Sequence, residues 1–176
     1  MMYRLFTAIF VLLLMTPPIL HASETPYVLG PQDRLRIMVF GEPDLSGEFS
    51  LDDIGQISMP LIGPVALGGL ARQDAETLIA ARFAQGYLRN PSVSIDIIAY
   101  RPFYILGEVN NPGAYEFATG LSVLKAVAIA GGFTYRANES QFDLVREQGD
   151  TVTELTASPI TLIQPGDILR IRERYF

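Results

Sequence analysis

The sequence predicts an α+β protein made of two small mixed modules. Short runs of strand-forming residues recur between clusters of Gly, Pro, Asn and Asp, and two segments carry apolar residues at helical spacing. Arg101-Pro102 interrupts the chain between two such strand-and-helix sets. The expected division is a leader over residues 1–22, a first module over 23–100 and a second over 101–176.

The leader comes first. Met1-Met2-Tyr3-Arg4 precedes an apolar run over 5–15, and Thr16-Pro17-Pro18-Ile19-Leu20-His21-Ala22-Ser23 follows. A basic start, a short apolar stretch and small residues at the end make a secretory signal peptide, with cleavage expected after Ala22 or Ser23. The apolar run is about half of the roughly 20 residues that a spanning helix needs, and the prolines end any helix behind it. A retained membrane anchor is therefore not expected, and the mature chain should be exported and soluble unless partners hold it. The chain has no cysteine, so it lacks both disulfides and the lipid-accepting residue of a bacterial lipoprotein.

In the first module, Tyr27-Val28-Leu29 reads as a short extended piece before the turn Gly30-Pro31-Gln32-Asp33, and residues 35–40 read as a strand. Residues 41–47 are a Pro, Asp, Ser and Gly loop. Strands over 49–52 and 56–61 are expected to form a hairpin about Asp53-Ile54-Gly55, with a short strand over 65–67 after them. Over 71–87, Ala75, Leu78, Ile79 and Phe83 make one apolar stripe, which predicts an amphipathic helix. Gly68-Gly69 ahead of it is a plain turn, since no Lys or Ser follows in phosphate-loop order. Asn90-Pro91 stops the helix, and 92–100 alternates as a half-buried strand.

In the second module, residues 103–106 form a strand, 107–113 a turn, and 114–117 the returning strand. A helix is expected over 122–130, with Ser122 as N-cap, Val123, Leu124, Val127 and Ala130 facing inward, and Gly131-Gly132 as its stop. A hairpin over 142–155 turns at Gly149-Asp150, and the last strand covers 168–172. Pro31-Gln32-Asp33-Arg34-Leu35-Arg36-Ile37 and Pro165-Gly166-Asp167-Ile168-Leu169-Arg170-Ile171 share the pattern Pro-x-Asp-x-Leu-Arg-Ile, so the same turn chemistry leads into a strand near each end. The strand over 35–40 could pair within its own module or pack on the second.

Composition narrows the chemistry. With 13 Lys and Arg against 19 Asp and Glu, the net charge is −6, which makes nucleic acid and anionic lipid poor partners. The one histidine is His21, in the leader, so the remainder has neither His nor Cys. Ser-His-Asp and Cys-His catalysis and the usual zinc or copper ligands are thereby removed, and no metal or cofactor is expected. A two-carboxylate glycan hydrolase stays compatible with composition, but no spacing singles out a pair among Asp52, Asp53, Asp96, Glu108 and Glu116. Binding and assembly are expected instead of catalysis.

The turn Gly107-Glu108-Val109-Asn110-Asn111-Pro112-Gly113 has Tyr115, Arg101 and Tyr135 around it. Aromatic rings suit sugar faces, although strand aromatics ordinarily enter a core, and most of Tyr100, Phe103, Tyr104, Tyr115 and Tyr135 are expected to be buried. Arg101 and Arg136 could fork onto acidic sugars or pair with nearby carboxylates.

The order of these motifs resembles the outer-membrane polysaccharide export proteins of Gram-negative bacteria. The similar stretches are Tyr27-Val28-Leu29-Gly30-Pro31-Gln32-Asp33-Arg34-Leu35, Asp53-Ile54-Gly55-Gln56-Ile57-Ser58-Met59-Pro60-Leu61-Ile62-Gly63, Gly69-Leu70 and Asn90-Pro91-Ser92-Val93. Gly107-Glu108-Val109-Asn110-Asn111-Pro112-Gly113-Ala114-Tyr115, Ala130-Gly131-Gly132-Phe133 and Gly166-Asp167-Ile168-Leu169 resemble that family's soluble-ligand-binding β-grasp module. Gln32 stands where a glycine is usual, and Ala71 where a Ser or Thr cap is common. The resemblance implies a short periplasmic form, without a C-terminal outer-membrane helix, in a capsule or exopolysaccharide export machine. Because a β-grasp module exposes such loops at the rim of its sheet, the resemblance also implies contact with a ligand or a subunit at Gly107, Glu108, Val109, Asn110, Asn111, Pro112 and Gly113, with Tyr115, Arg101 and Tyr135 beside them. Its implied partners are the polysaccharide, an inner-membrane polysaccharide co-polymerase, an outer-membrane export partner and further copies in a ring. The rival expectation is a periplasmic glycan-binding scaffold or sensor that forms no conduit.

Overall fold

The computed structural model describes residues 27–148 and 151–174. The expected leader, its cleavage point and the Gly149-Asp150 turn lie outside the described residues. The architecture is α+β: among the described residues ten short strands gather into three sheets, each α-helix lying against strands of its own half of the chain. Among the described residues no helix is long and apolar enough to cross a membrane.

Strand β1 (Arg34–Val39) alternates exposed and buried residues along its whole length, so Leu35, Ile37 and Val39 face one core while Arg34, Arg36 and Met38 face out. It lies between β2 (Gly47–Ser50) and β5 (Val93–Ala99), antiparallel to both. The pairing of β1 is thus settled inside its own sheet, and packing of this strand on the second module is not what occurs. Strands β3 (Gln56–Met59) and β4 (Gly63–Ala66) pair only with each other.

The hairpin expected about 53–55 is therefore a correction. The turn exists, but its flanking strands belong to different sheets. The Asp52 carboxylate accepts the amides of Ile54 and Gln56 at 3.1 and 2.7 Å, closing an Asx-type turn that redirects the chain. The Gly55 carbonyl then accepts the amides of Leu67 and Gly68, so β3 meets β4 and not β2.

Helix α1 (Arg72–Ala84) buries Ala75, Ile79 and Phe83. These close a core with Leu35, Ile37, Ile57, Val65 and Ile95, all essentially inaccessible. A second, separate core joins Phe103, Ile105, Leu169, Ile171, Phe142 and Leu144 to helix α2 (Val123–Ile129). Its sheet contains β6 (Phe103–Gly107), β7 (Gly113–Tyr115), β8 (Phe142–Gln148), β9 (Thr151–Ala157) and β10 (Ile168–Ile171) in the order β7-β6-β10-β8-β9. Only the β6–β10 pair is parallel.

Ser122 caps α2, its hydroxyl accepting the Lys125 amide. Leu124 does not face inward as expected; it is half exposed, and Ala126 takes the inner place. Helical geometry explains this. Leu124 lies about 100° round the axis from Val123, whereas Ala126, Val127 and Ala130 fall within about 60° of it. The aromatic expectation is also corrected: of Tyr100, Phe103, Tyr104, Tyr115 and Tyr135 only Phe103 is fully buried, and Tyr135 is 84% exposed. Tyr104 lies on the sheet face that α2 does not cover, and Tyr135 lies in a loop.

Helix α1 begins at Ala71, which has the extended backbone of an N-cap but no side chain to accept an orphan amide. Ala71→Ser should stabilise the protein by about 1 kcal/mol. Urea unfolding with an unchanged slope and a higher midpoint is the expected result.

Candidate functional site

The echoed turns are built alike. In each, the Asp amide donates to the carbonyl three residues back, Gly30 for Asp33 and Gln164 for Asp167. The Asp carboxylate returns the bond by accepting that same residue's amide, at 2.9 and 2.7 Å. Proline followed by a positive φ is the pattern of a type II turn, with Gln32 at 70° and Gly166 at 85°. Gln32 therefore occupies a left-handed backbone that suits glycine.

Both carboxylates are inaccessible to solvent, so each needs charged and polar partners. Asp167 receives the fork of Arg146, Nε at 2.9 Å and Nη2 at 2.7 Å. Asp33 receives the Arg101 backbone amide at 2.9 Å and the Tyr27 hydroxyl at 2.6 Å, with the Arg101 guanidinium at 3.8 Å. The same guanidinium lies over the Tyr27 ring, donates to the Tyr27 hydroxyl at 3.2 Å and donates through Nε to the Pro165 carbonyl at 3.1 Å. Arg101 thus holds the first echoed turn and the second at once. Beside it, Tyr27, Tyr100 and Phe117 form an edge-to-face chain with centroids 5.0 and 5.3 Å apart. A Cβ on Gly30 or Gly166 would strike the Arg101 side chain at 1.9 or 2.7 Å.

The turn over 107–113 joins β6 to β7 and folds over the C-terminus of α2. A helix ends with unpaired carbonyls, and this turn supplies donors to them. The Asn110 amide and side chain donate to the carbonyls of Gly132 and Gly131 at 3.1 and 2.7 Å. The Asn111 amide donates to Ala130 at 2.9 Å, its side chain to the same carbonyl at 3.3 Å. Gly131 must be small here, since its Cβ would lie 2.5 Å from Asn111 Nδ2. Glu108 is held on both sides, its amide donating to Ile171 and its carbonyl and carboxylate accepting from Thr134. Val109 is buried beside Phe133. The Tyr115 hydroxyl donates to the Asn111 carbonyl.

The expected contact residues therefore separate into two places. Gly107, Glu108, Val109, Asn110, Asn111, Pro112, Gly113 and Tyr115 gather at the end of α2, and Tyr135 follows Thr134, which bonds Glu108. None of the contacts described for Arg101 reaches that loop; the residue is engaged at the junction. Arg136 is paired with Glu173, a hydrogen bond that raises its proton affinity above the ordinary guanidinium value. What the loop presents outward is Asn110, Asn111 and Pro112, and Tyr135, next in sequence to Thr134, is exposed as well. A shallow concavity lined by Ala137, Asn138, Glu139, Ser140 and Arg174 adjoins Tyr135 and Arg136. Sequence reading missed Asp33, Asp167, Arg146 and Tyr27 as a connected set; the shared Pro-x-Asp pattern was the only local signal of it.

The family model for "Polysaccharide biosynthesis/export protein" matches residues 21–98, and that for the SLBB domain matches 102–155. Among curated proteins the chain is similar to the exopolysaccharide production protein ExoF of Rhizobium meliloti, with 29% identity over 84% of this chain and 38% of the relative. The polysialic acid transport protein KpsD of Escherichia coli is 29% identical over 72% of this chain and 23% of the relative. The EPS I polysaccharide export outer membrane protein EpsA of Ralstonia nicotianae is 26% identical over 88% of this chain and 49% of the relative. The chain thus spans less than half the length of each of these three.

Two changes probe the junction. Gln32→Gly should stabilise the protein by up to about 1 kcal/mol by relieving its left-handed residue, whereas Gly166→Ala should cost about 1–3 kcal/mol through strain and collision with Arg101. Equilibrium denaturation of both variants checks the opposite signs. Burial, and next the hydrogen bond to the Asp33 carboxylate, push the Tyr27 phenol well above its ordinary 10.0. The fold holds the neutral phenol, so its stabilisation is complete below pH 10 and is lost as pH rises above the value of the unfolded chain. Tyr27→Phe should therefore flatten the alkaline fall in unfolding free energy; an unchanged slope would contradict the assignment.

Proposed function

Because the chain belongs to the polysaccharide export protein family, we propose that it is an envelope component of a capsule or exopolysaccharide export machine, acting in the periplasm after removal of its leader. The observation that carries this reading is the two matched domains in order along one chain, together with similarity over 72% to 88% of the chain to relatives named for polysaccharide production, transport and export. It assembles with further copies in a ring or with inner- and outer-membrane export partners, and guides the polymer without altering it.

The loop over 107–113 suits this role. Its donors are turned inward to the helix end, so the rim offers amide oxygens and a proline ring, and the exposed Tyr135 adds an aromatic face. Such a surface meets hydroxyl-rich sugar, or the matching rim of a neighbour, better than it meets an anion. Binding by shape and weak polar contact also agrees with polymer transit, because a strongly held sugar would not move on.

Deletion of the gene in its host should abolish surface polysaccharide and leave polymer in the periplasm, measured by carbohydrate assay of separated fractions. Unchanged surface polysaccharide with none retained would overturn the proposal. Sizing of the purified protein separates the rivals, since ring-sized particles support assembly and a monomer with oligosaccharide affinity supports a scaffold.

A further inference from the structure

The edges of the sheets are protected unequally. A strand edge with unpaired amides and carbonyls is a template for another strand unless it is short, covered, or interrupted by proline or charge. At the free edge of β5, the Ile95 amide donates to Glu76 Oε1 at 2.9 Å and Arg72 stands over the Ile95 carbonyl, so α1 stoppers that edge. Strand β2 has four residues and β7 three. Strand β4 has four and carries Pro64.

Strand β9 is neither short, covered nor interrupted by proline, and the one charge it carries is Glu154. It is seven residues long, runs in register with β8 from Phe142↔Ala157 to Gln148↔Thr151 without a bulge, and is the outermost strand of its sheet. Thr151, Val152, Thr153, Glu154, Leu155 and Thr156 are all exposed. Four of these six are β-branched, which favours extended pairing. Among the described residues no hydrogen bond reaches the outer side of β9.

The two faces beside this edge differ in chemistry. Glu154 pairs across with Val145 and Glu147 with Val152, which puts both carboxylates on the face away from α2. Both are exposed, and among the described residues neither has an ion-pair partner. On the other face Leu155 pairs with Leu144. Exposed Leu124, Ile160 and Leu162 border that side, tied there by the Leu124 amide on the Pro159 carbonyl and by Arg146, opposite Thr153, donating to the Leu162 carbonyl.

We propose that the β9 edge is a strand-addition site for an extended segment of another protein in which basic and apolar residues alternate. Backbone pairing would supply affinity, the basic residues would face Glu147 and Glu154, and the apolar ones would cover Leu155 and its rim. A second copy of this chain fits poorly. Its strands of that pattern, Arg34-Leu35-Arg36-Ile37 in β1 and Ile168-Leu169-Arg170-Ile171 in β10, are paired on both sides. Closely registered pairing of β9 with another β9 would set the two Glu154 side chains opposite or diagonal, where like charges repel.

The test uses the purified full chain and two synthetic peptides, one alternating Lys and Val and one alternating Glu and Val. The Lys peptide should bind and slow amide hydrogen exchange across 151–157, and the Glu peptide should not. Glu154→Lys should weaken the Lys peptide about five-fold, the scale of one cross-strand charge contact. Equal binding of both peptides, protection confined to other segments, or no binding would overturn the proposal. So would protection of 151–157 that rises with protein concentration in the absence of peptide, since the occupant would then be a second copy.

Discussion

A carboxylate with no access to water, Asp33, is the constraint on which the arrangement of this molecule depends. Burying an ionised group is costly unless it is paired and hydrogen-bonded. Asp33 meets that requirement with the Gly30 amide, the Tyr27 hydroxyl and the Arg101 amide and guanidinium. Because Arg101 lies 68 residues further along the chain, satisfying the charge also fixes where the chain leaves the first core. The second contact of that guanidinium, on Pro165, then ties the entry of β10 to the same point.

The two cores share no residue, so the junction is carried by this polar clasp and by the Tyr27, Tyr100 and Phe117 rings. Interfaces of that kind between modules are ordinarily mobile unless something specific holds them. Here a buried charge does so, and displacing Arg101 would leave Asp33 with less compensation. A stiff connection fits the proposed role, in which the loop over 107–113 would meet ligand or a neighbouring subunit while the other half sits in an assembly. The loop over 107–113 is stiff for a related reason, since its own donors complete the last turn of α2.

Much of the fold was legible because its signals are local. Strand-forming residues after a turn marked β1, alternation marked β5, the stripe Ala75, Leu78, Ile79, Phe83 marked α1, and Ser122 followed by a double glycine marked α2. The Pro-x-Asp pattern announced two turns of one type. The local signals failed where partners mattered. The turn at Asp52 was readable, but not that its two strands go to different sheets; Leu124 looked like a core residue until the short helix was oriented by Val123, Ala126 and Val127.

Taken alone, the sequence determined the α+β class, the places of strands, helices and turns, and an acidic chain whose one histidine is His21 and which has no thiol. These follow from dihedral preference, periodicity and composition, which act within a few residues. Tertiary structure alone decided that Arg101 serves the junction and not the loop, that Asp33 and Asp167 are buried, and that β9 is left open while β5 is covered. Each of those depends on groups brought together from positions tens of residues apart, and no local pattern carries the identity of so distant a partner.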